Sequence, residues 1–244
     1  MTETTEDLLL GGRVRLIQPA DGYRVAIDPV LLAAAVPAGP GERVLDLGSG
    51  TGAAALCLTV REAGCRVSGL ERELALVRMA QLSAERTGVA ARVDFMFGDL
   101  LAPPPRLAPG SFHHAMANPP YLPQGGAASP QPARAAAHME GEAALEDWVR
   151  AALTMVRPKG TVTFIHRADR LDALIAAFAG RAGELVLFPL WPEAGRPAKR
   201  VLVRARKGVA APARLAPGLV LHAQGGGFTE AAEAVLRGGA GLIL

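Results

Sequence analysis

Two hydrophobic periodicities alternate along most of the chain. Short runs rich in aliphatic and β-branched residues occur at 43–47, 65–70, 92–97, 111–117, 161–166, 184–189 and 200–206, and read as strands. Stretches of helical period are expected to separate the first five and to precede the sixth. The clearest places Leu145, Trp148, Val149, Ala152, Leu153 and Val156 on one face, with Pro158-Lys159-Gly160 stopping the helix. Such alternation predicts an α/β protein with a mostly parallel sheet covered by helices on both faces. No helical stretch separates the last two strands.

Around this core lie two attachments. In the lead-in, residues 1–40, runs at 13–17 and 23–27 flank Asp21-Gly22 and read as a hairpin. Asp28-Pro29 then opens a helix, with Asp as a cap and Pro in the first turn. After the core, 41–207, an extension over 208–244 reads as a short strand at 219–222, a glycine turn and a helix over about 229–237. Loops rich in Pro and Gly fall at 102–110, 122–134 and 189–198. A single domain spanning 1–244 is expected.

Composition narrows this only a little. Half of the residues are hydrophobic, enough for a full core. The formal net charge of +3 is too small to demand a nucleic-acid partner. Cys57 and Cys65 lie in apolar stretches without metal-ligand spacing, and read as buried thiols in a reducing compartment; no metal is expected. The acidic, polar start lacks the basic region of a signal peptide, and no apolar run is long enough to span a bilayer. A cytoplasmic protein, without membrane contact and monomeric, is expected.

Chemistry concentrates at two places. Val44-Leu45-Asp46-Leu47-Gly48-Ser49-Gly50-Thr51-Gly52 is a buried strand that runs into a glycine turn and a helix. Its glycines admit a ligand close to the backbone, beside the unpaired N–H groups of a helix start. The spacing also matches a dinucleotide fingerprint, but Asp46 would repel a pyrophosphate. Its carboxylate suits the cationic amino end of S-adenosylmethionine. Glu71, at the end of the second strand, is placed to accept ribose hydroxyls, and Asp99, after the third, the adenine amino group. Gly48, Gly50 and Gly52 complete the candidate cofactor set.

The second place is Asn118-Pro119-Pro120-Tyr121, at the C-terminal end of the fourth strand. Ligands of open α/β sheets sit outside those ends, so this motif faces the glycine turn. The residue types suit methylation of a planar exocyclic nitrogen, whose lone pair is delocalised. The Asn118 side-chain oxygen and the Pro119 carbonyl can accept its two N–H bonds and draw the nitrogen toward tetrahedral geometry. Prolines stiffen the turn, and Tyr121 offers a face for stacking. Preorganised dipoles then replace a strong base. His113 and His114 lie inside the strand and read as one packed and one semi-exposed side chain.

These motifs resemble those of the class I Asn-Pro-Pro-Tyr methyltransferases, and among them the bacterial tRNA(Val) adenine N6-methyltransferases. The resemblance spans nearly the whole chain. It includes Ile27-Asp28-Pro29-Val30-Leu31-Leu32 and the basic end Pro197-Ala198-Lys199-Arg200-Val201-Leu202-Val203-Arg204-Ala205-Arg206-Lys207. It implies a Rossmann-like class I methyltransferase fold with a seven-stranded, mostly parallel sheet and a final antiparallel strand. It also implies an S-adenosylmethionine-dependent enzyme acting on an adenine of the tRNA anticodon loop, with Tyr23 and Asp28 helping to close the cofactor pocket. Arg196, Lys199, Arg200 and Arg134 become candidates for contacting RNA, though a charged, solvated strand edge explains the C-terminal basic residues equally well. Leu122 stands where an aromatic often follows the motif. Three alternatives use the same residues less fully. A release-factor glutamine methyltransferase usually carries a helical domain ahead of the cofactor loop. A non-catalytic cofactor-binding module would not need an intact Asn118. A dehydrogenase leaves Asn118-Pro119-Pro120-Tyr121 unexplained.

Overall fold

The computed structural model describes residues 3–21, 24–120 and 143–244. Seven strands form the centre of the sheet: β3 (Arg43–Leu47), β4 (Arg66–Glu71), β5 (Val93–Phe97), β6 (Phe112–Ala117), β7 (Val156–Arg167), β8 (Ala182–Trp191) and β9 (Arg200–Lys207). Their order is β8-β9-β7-β6-β3-β4-β5. From β7 to β5 every pairing is parallel, and β9 runs antiparallel between β7 and β8. The expected seven-stranded sheet with an antiparallel final strand is therefore present. Two short strands widen it, β10 (Arg214–Leu215) and β11 (Leu219–Val220), both parallel to β8.

Helices cover both faces. On one side α1 (Asp28–Ala35), α2 (Ala53–Arg61) and α3 (Leu74–Thr87) enclose Val44, Met116 and Ile165. On the other, α4 (Leu145–Met155) and α5 (Leu171–Phe178) pack on Leu45, Leu47, Phe112 and Phe164. Alternate residues of β3 thus belong to opposite cores, as a strand buried on both faces requires. Among the described residues no helix is long and apolar enough to cross a membrane.

Four expectations change. The lead-in hairpin joins β1 (Thr4–Leu9) to β2 (Val14–Pro19), not the two runs around Asp21-Gly22. Strand β1 has no fully buried face, so its polar residues carry no hydrophobic period. Ion pairs hold it instead: Glu6 to Arg15 at 2.5 Å, and Asp7 to Arg24. Buried Gln18 accepts the Val25 N–H at 3.0 Å and donates to Asp7, so residues 24 and 25 are tied to the hairpin without forming a strand.

The second change is the crossover from β5 to β6, which carries no helix. Pro103, Pro104 and Pro105 lack the N–H groups a helix there would need. Third, α4 ends before Pro158, because Val156 is buried and pairs with Phe112. The stop signal instead marks an irregularity in β7, with Lys159 at φ 63°. Fourth, the extension contains β10, which the pattern does not reveal. Its helix α6 (Glu230–Leu236) starts at Thr229, whose hydroxyl accepts the Ala232 N–H at 3.1 Å. The extension returns to α1, where the Leu242 N–H meets the Ala34 carbonyl at 2.7 Å.

Phe178 is fully buried and meets Phe164 edge-on, with centroids 5.8 Å apart. Phe178→Ala is expected to cost about 3–5 kcal/mol, read as a lower urea midpoint without a changed denaturant slope.

Candidate functional site

Strand β3 pairs with β4 on one side and β6 on the other. Chain order reverses there, and open α/β sheets bind ligands outside the C-terminal strand ends at such a point. Residues 46–52 turn over that end. The Gly48 and Ser49 N–H groups both donate to the Leu70 carbonyl, at 2.8 and 3.0 Å, and the Gly52 N–H returns to the Ser49 carbonyl at 2.8 Å. Gly52 ends the turn at φ 88°, and a Cβ there would lie 2.6 Å from the Phe95 ring. Both conformation and space therefore demand glycine at that position.

Asp46 is 2% exposed. The Ala55 N–H donates to its carboxylate, while Oδ2 has no partner. Burial, with a smaller contribution from the Glu71 charge, pushes the carboxyl up to about 8. The hydroxyls of Ser49 and Thr51, also buried, have no partners. Three unsatisfied oxygens on one short turn are costly unless a ligand completes them. A cationic ammonium suits Asp46, and a carboxylate suits the hydroxyls. The residues present fit the methionine end of S-adenosylmethionine. Ser49 and Thr51 alternate with the glycines of the turn, and the spacing that marks those glycines carries no signal for the hydroxyls.

Glu71 closes the turn from β4. Its Oε2 accepts the Gly50 N–H and its Oε1 the Glu73 N–H, both at 2.9 Å. Burial raises its pKa, and those two N–H bonds pull it back. Each carboxylate oxygen keeps a further lone pair, which leaves capacity for two ribose hydroxyls. Beside it, the Gly98 N–H donates to the Glu71 carbonyl at 3.0 Å, which brings Asp99 to the same edge. Asp99 is half-buried, and its Oδ1 accepts the Leu101 N–H at 2.9 Å, so one oxygen is used in its own turn.

Ala117 pairs with Leu47 and Phe164, so Asn118 leaves the sheet beside Gly48. Asn118 is half-buried and Pro119 buried. The fold thus brings Asp46, Gly48, Gly50, Gly52, Glu71, Asp99, Asn118 and Pro119 to one edge. Tyr121, Tyr23 and Arg134 lie outside the described residues.

Asp28 departs from its expected role as a helix cap. It does not cap α1, whose N-cap is Ile27. Its buried carboxylate takes Arg200 Nε at 2.9 Å, which ties α1 to the start of β9. Arg200, expected toward RNA, is thereby engaged inside the protein. The other basic side chains of β9 have internal partners as well. Arg204 donates to the Leu244 main-chain oxygen at 2.7 Å, Arg206 pairs with Glu184 at 2.9 Å, and Lys207 donates to the Val156 carbonyl at 2.8 Å. Arg196 and Lys199, in the loop before β9, are exposed. The two strand histidines lie at the opposite end of β6. His114 is buried between Glu42 Oε2, at 2.8 Å, and Thr161 Oγ1, at 2.7 Å, and the half-buried His113 accepts the Arg43 N–H at 3.2 Å.

The profile of the methyltransferase small domain family matches residues 24–168. A relative from Actinobacillus succinogenes, named tRNA1(Val) (adenine(37)-N6)-methyltransferase, is 29% identical over 184 residues, covering 74% of this chain and 75% of its own. A release factor glutamine methyltransferase from Rhodospirillum rubrum is 35% identical over 98 residues, 40% of this chain and 29% of its own. Among solved structures, Atu636 from Agrobacterium tumefaciens, described as a predicted O-methyltransferase, matches with a TM-score of 0.75 at 27% identity, over 88% of this chain and 98% of that one.

The raised Asp46 pKa has two consequences. A cationic ligand needs the carboxylate ionised, so affinity for S-adenosylmethionine rises with pH up to about 8, and binding near pH 7 releases protons; calorimetry in buffers of different ionisation heat checks this. The folded state also holds this proton more tightly than the unfolded chain, so ionising Asp46 destabilises the free protein as pH rises from about 4 to about 8. Asp46→Asn should therefore gain in Tm over the wild type, by a margin that widens across that window. It should also lose at least about tenfold in ligand affinity.

Proposed function

The chain belongs to the methyltransferase small domain family, and on that premise we propose that it methylates the N6 amino group of an adenine in a tRNA anticodon loop, with S-adenosylmethionine as donor. The observation that carries this reading is the emergence of Asn118-Pro119 from β6 beside a cofactor turn whose buried Asp46 keeps one carboxylate oxygen without a partner. When bound, S-adenosylmethionine supplies an electrophilic methyl group on its sulfonium. Asp46 holds the ammonium, Ser49 and Thr51 the carboxylate, Glu71 the ribose hydroxyls, and Asp99 the adenine amino group through its remaining oxygen.

The acceptor base leaves its stack at a cost of a few kcal/mol, least in a loop. Asn118 Oδ1 and the Pro119 carbonyl accept its two amino protons and orient the nitrogen lone pair. Pro119 and Pro120 keep those acceptors from turning away. The nitrogen proton becomes acidic as the new bond forms, and water can take it, so no strong base is needed. Arg196 and Lys199 meet phosphates of the RNA, and such an enzyme works in the cytoplasm, where its substrate is.

A glutamine side chain presents the same planar nitrogen, and the Rhodospirillum relative makes it the competing acceptor. Coverage favours RNA, because the Actinobacillus relative matches 74% of this chain and the Rhodospirillum relative 40%.

One incubation separates the two. Undermodified total tRNA and a release factor are each supplied with S-adenosylmethionine, and both are read by mass spectrometry. Methyl on adenosine is expected; methyl on glutamine and none on adenosine would overturn the proposal. Asn118→Ala should lower kcat by about 100-fold or more, with cofactor affinity within a few-fold of wild type. Arg196→Ala with Lys199→Ala should raise the KM for tRNA and reduce the salt dependence of binding by a slope of up to about 2.

A further inference from the structure

The first glycine of the cofactor turn is clamped from two sides. Its N–H is held by the Leu70 carbonyl at 2.8 Å. From below, Trp148 of α4 presses its six-membered ring against the Cα. A Cβ on Gly48 would lie 2.4 Å from Trp148 Cη2 and 2.8 Å from Cζ3. With φ at +65°, Gly48 can neither carry a side chain nor move toward the helix while that ring is in place.

Trp148 is 8% exposed, and its indole N–H is buried with no partner. A residue selected only to fill this space would carry no donor, since Leu or Phe fills an apolar gap without an unsatisfied polar atom. Leu47 and Ala117, which lead into Gly48 and Asn118, belong to the same buried cluster as Trp148. The helix that carries Trp148 also follows the Asn118 motif in the chain. Its start is fixed by the Ala144 N–H, which donates to Asp147 Oδ2 at 2.9 Å.

We propose that Trp148 is a positioning residue of the cofactor site: its ring sets the path of the backbone at Gly48 and so the placement of the turn relative to Asn118. This rests on reading residues 46–52 as the cofactor turn and is independent of whether adenine is the acceptor. Trp148 touches no reacting atom. It acts through Gly48.

A double-mutant cycle on S-adenosylhomocysteine binding tests it, using Gly48→Ala, Trp148→Leu and the pair, each with its melting temperature. Gly48→Ala is expected to lose about 30-fold in affinity or more, and Trp148→Leu about fivefold. The pair should bind at least about fivefold better than the product of the two losses, because the smaller side chain makes room for the new methyl. Strict additivity in variants that melt like the wild type would overturn the proposal. Trp148→Phe, which keeps an aromatic ring but lacks the atoms nearest Gly48, guards against a failure to fold. It should raise the KM for S-adenosylmethionine and lower kcat as the turn shifts from Asn118; unchanged values of both would count against the idea. The chain has two tryptophans. With Trp191→Phe, emission from Trp148 alone should change on adding S-adenosylhomocysteine, and a silent titration with saturated binding would also overturn the proposal. Should the wild type bind S-adenosylhomocysteine but methylate no tRNA, the adenine reading fails and this one stands. If it binds none, both fail.

Discussion

A carboxylate at the end of the central strand sits in the dry interior with one N–H donor and one oxygen that nothing satisfies. Ionising Asp46 there is expensive, and the protein alone does not compensate it. The surrounding turn explains why the cost is tolerated. Its backbone is fixed by the Leu70 carbonyl, Glu71 and Gly52, so the site cannot collapse onto the carboxylate and satisfy it internally. In the proposed function a ligand cation is the missing partner. Part of the ligand's binding energy is thereby spent on a charge that destabilises the free protein, which couples occupancy to protonation.

The two ends of the parallel sheet show the contrast. At the N-terminal end, His114 is buried with both ring nitrogens engaged, by Glu42 and Thr161, and Arg157 approaches the same glutamate at 3.7 Å. Burial lowers the pKa of His114, and Glu42 only partly restores it. That cluster holds strands together. At the C-terminal end, Asp46, Ser49, Thr51 and Trp148 all keep buried polar atoms without partners. Arg61 Nε and Thr163 Oγ1 are buried without partners elsewhere, but three such oxygens on one short turn, those of Asp46, Ser49 and Thr51, mark where the fold gives up stability for recognition.

The basic C-terminal strand has partners that its charge pattern does not announce. Arg200, Arg204, Arg206 and Lys207 look like a surface for phosphates, yet each has an acceptor within the chain, that of Arg206 on the exposed surface. They fasten β9 to α1, to the C-terminal segment and to the start of β7. The loop before the strand keeps Arg196 and Lys199 exposed at the same edge as Asn118. Long cationic side chains reach carbonyls far away in sequence, and no local spacing announces those partners.

Much of this protein was determined locally. The alternation of strand and helix, the glycine turn behind Asp46, Glu71 at the next strand end and the Asn118 turn after the fourth strand all follow from period, spacing and the behaviour of Gly and Pro. The tertiary structure decided what depends on contacts between distant segments. It paired the polar β1 with β2, left the Pro-rich crossover without a helix, and committed Asp28 to Arg200 across the fold. It also set Trp148, which reads in the sequence only as one more apolar position of a helix, against Gly48. Periodicity reports which face of an element is buried. It does not report what that face is buried against, because the partner is chosen by how separate elements pack and by where each buried polar atom can find a bond.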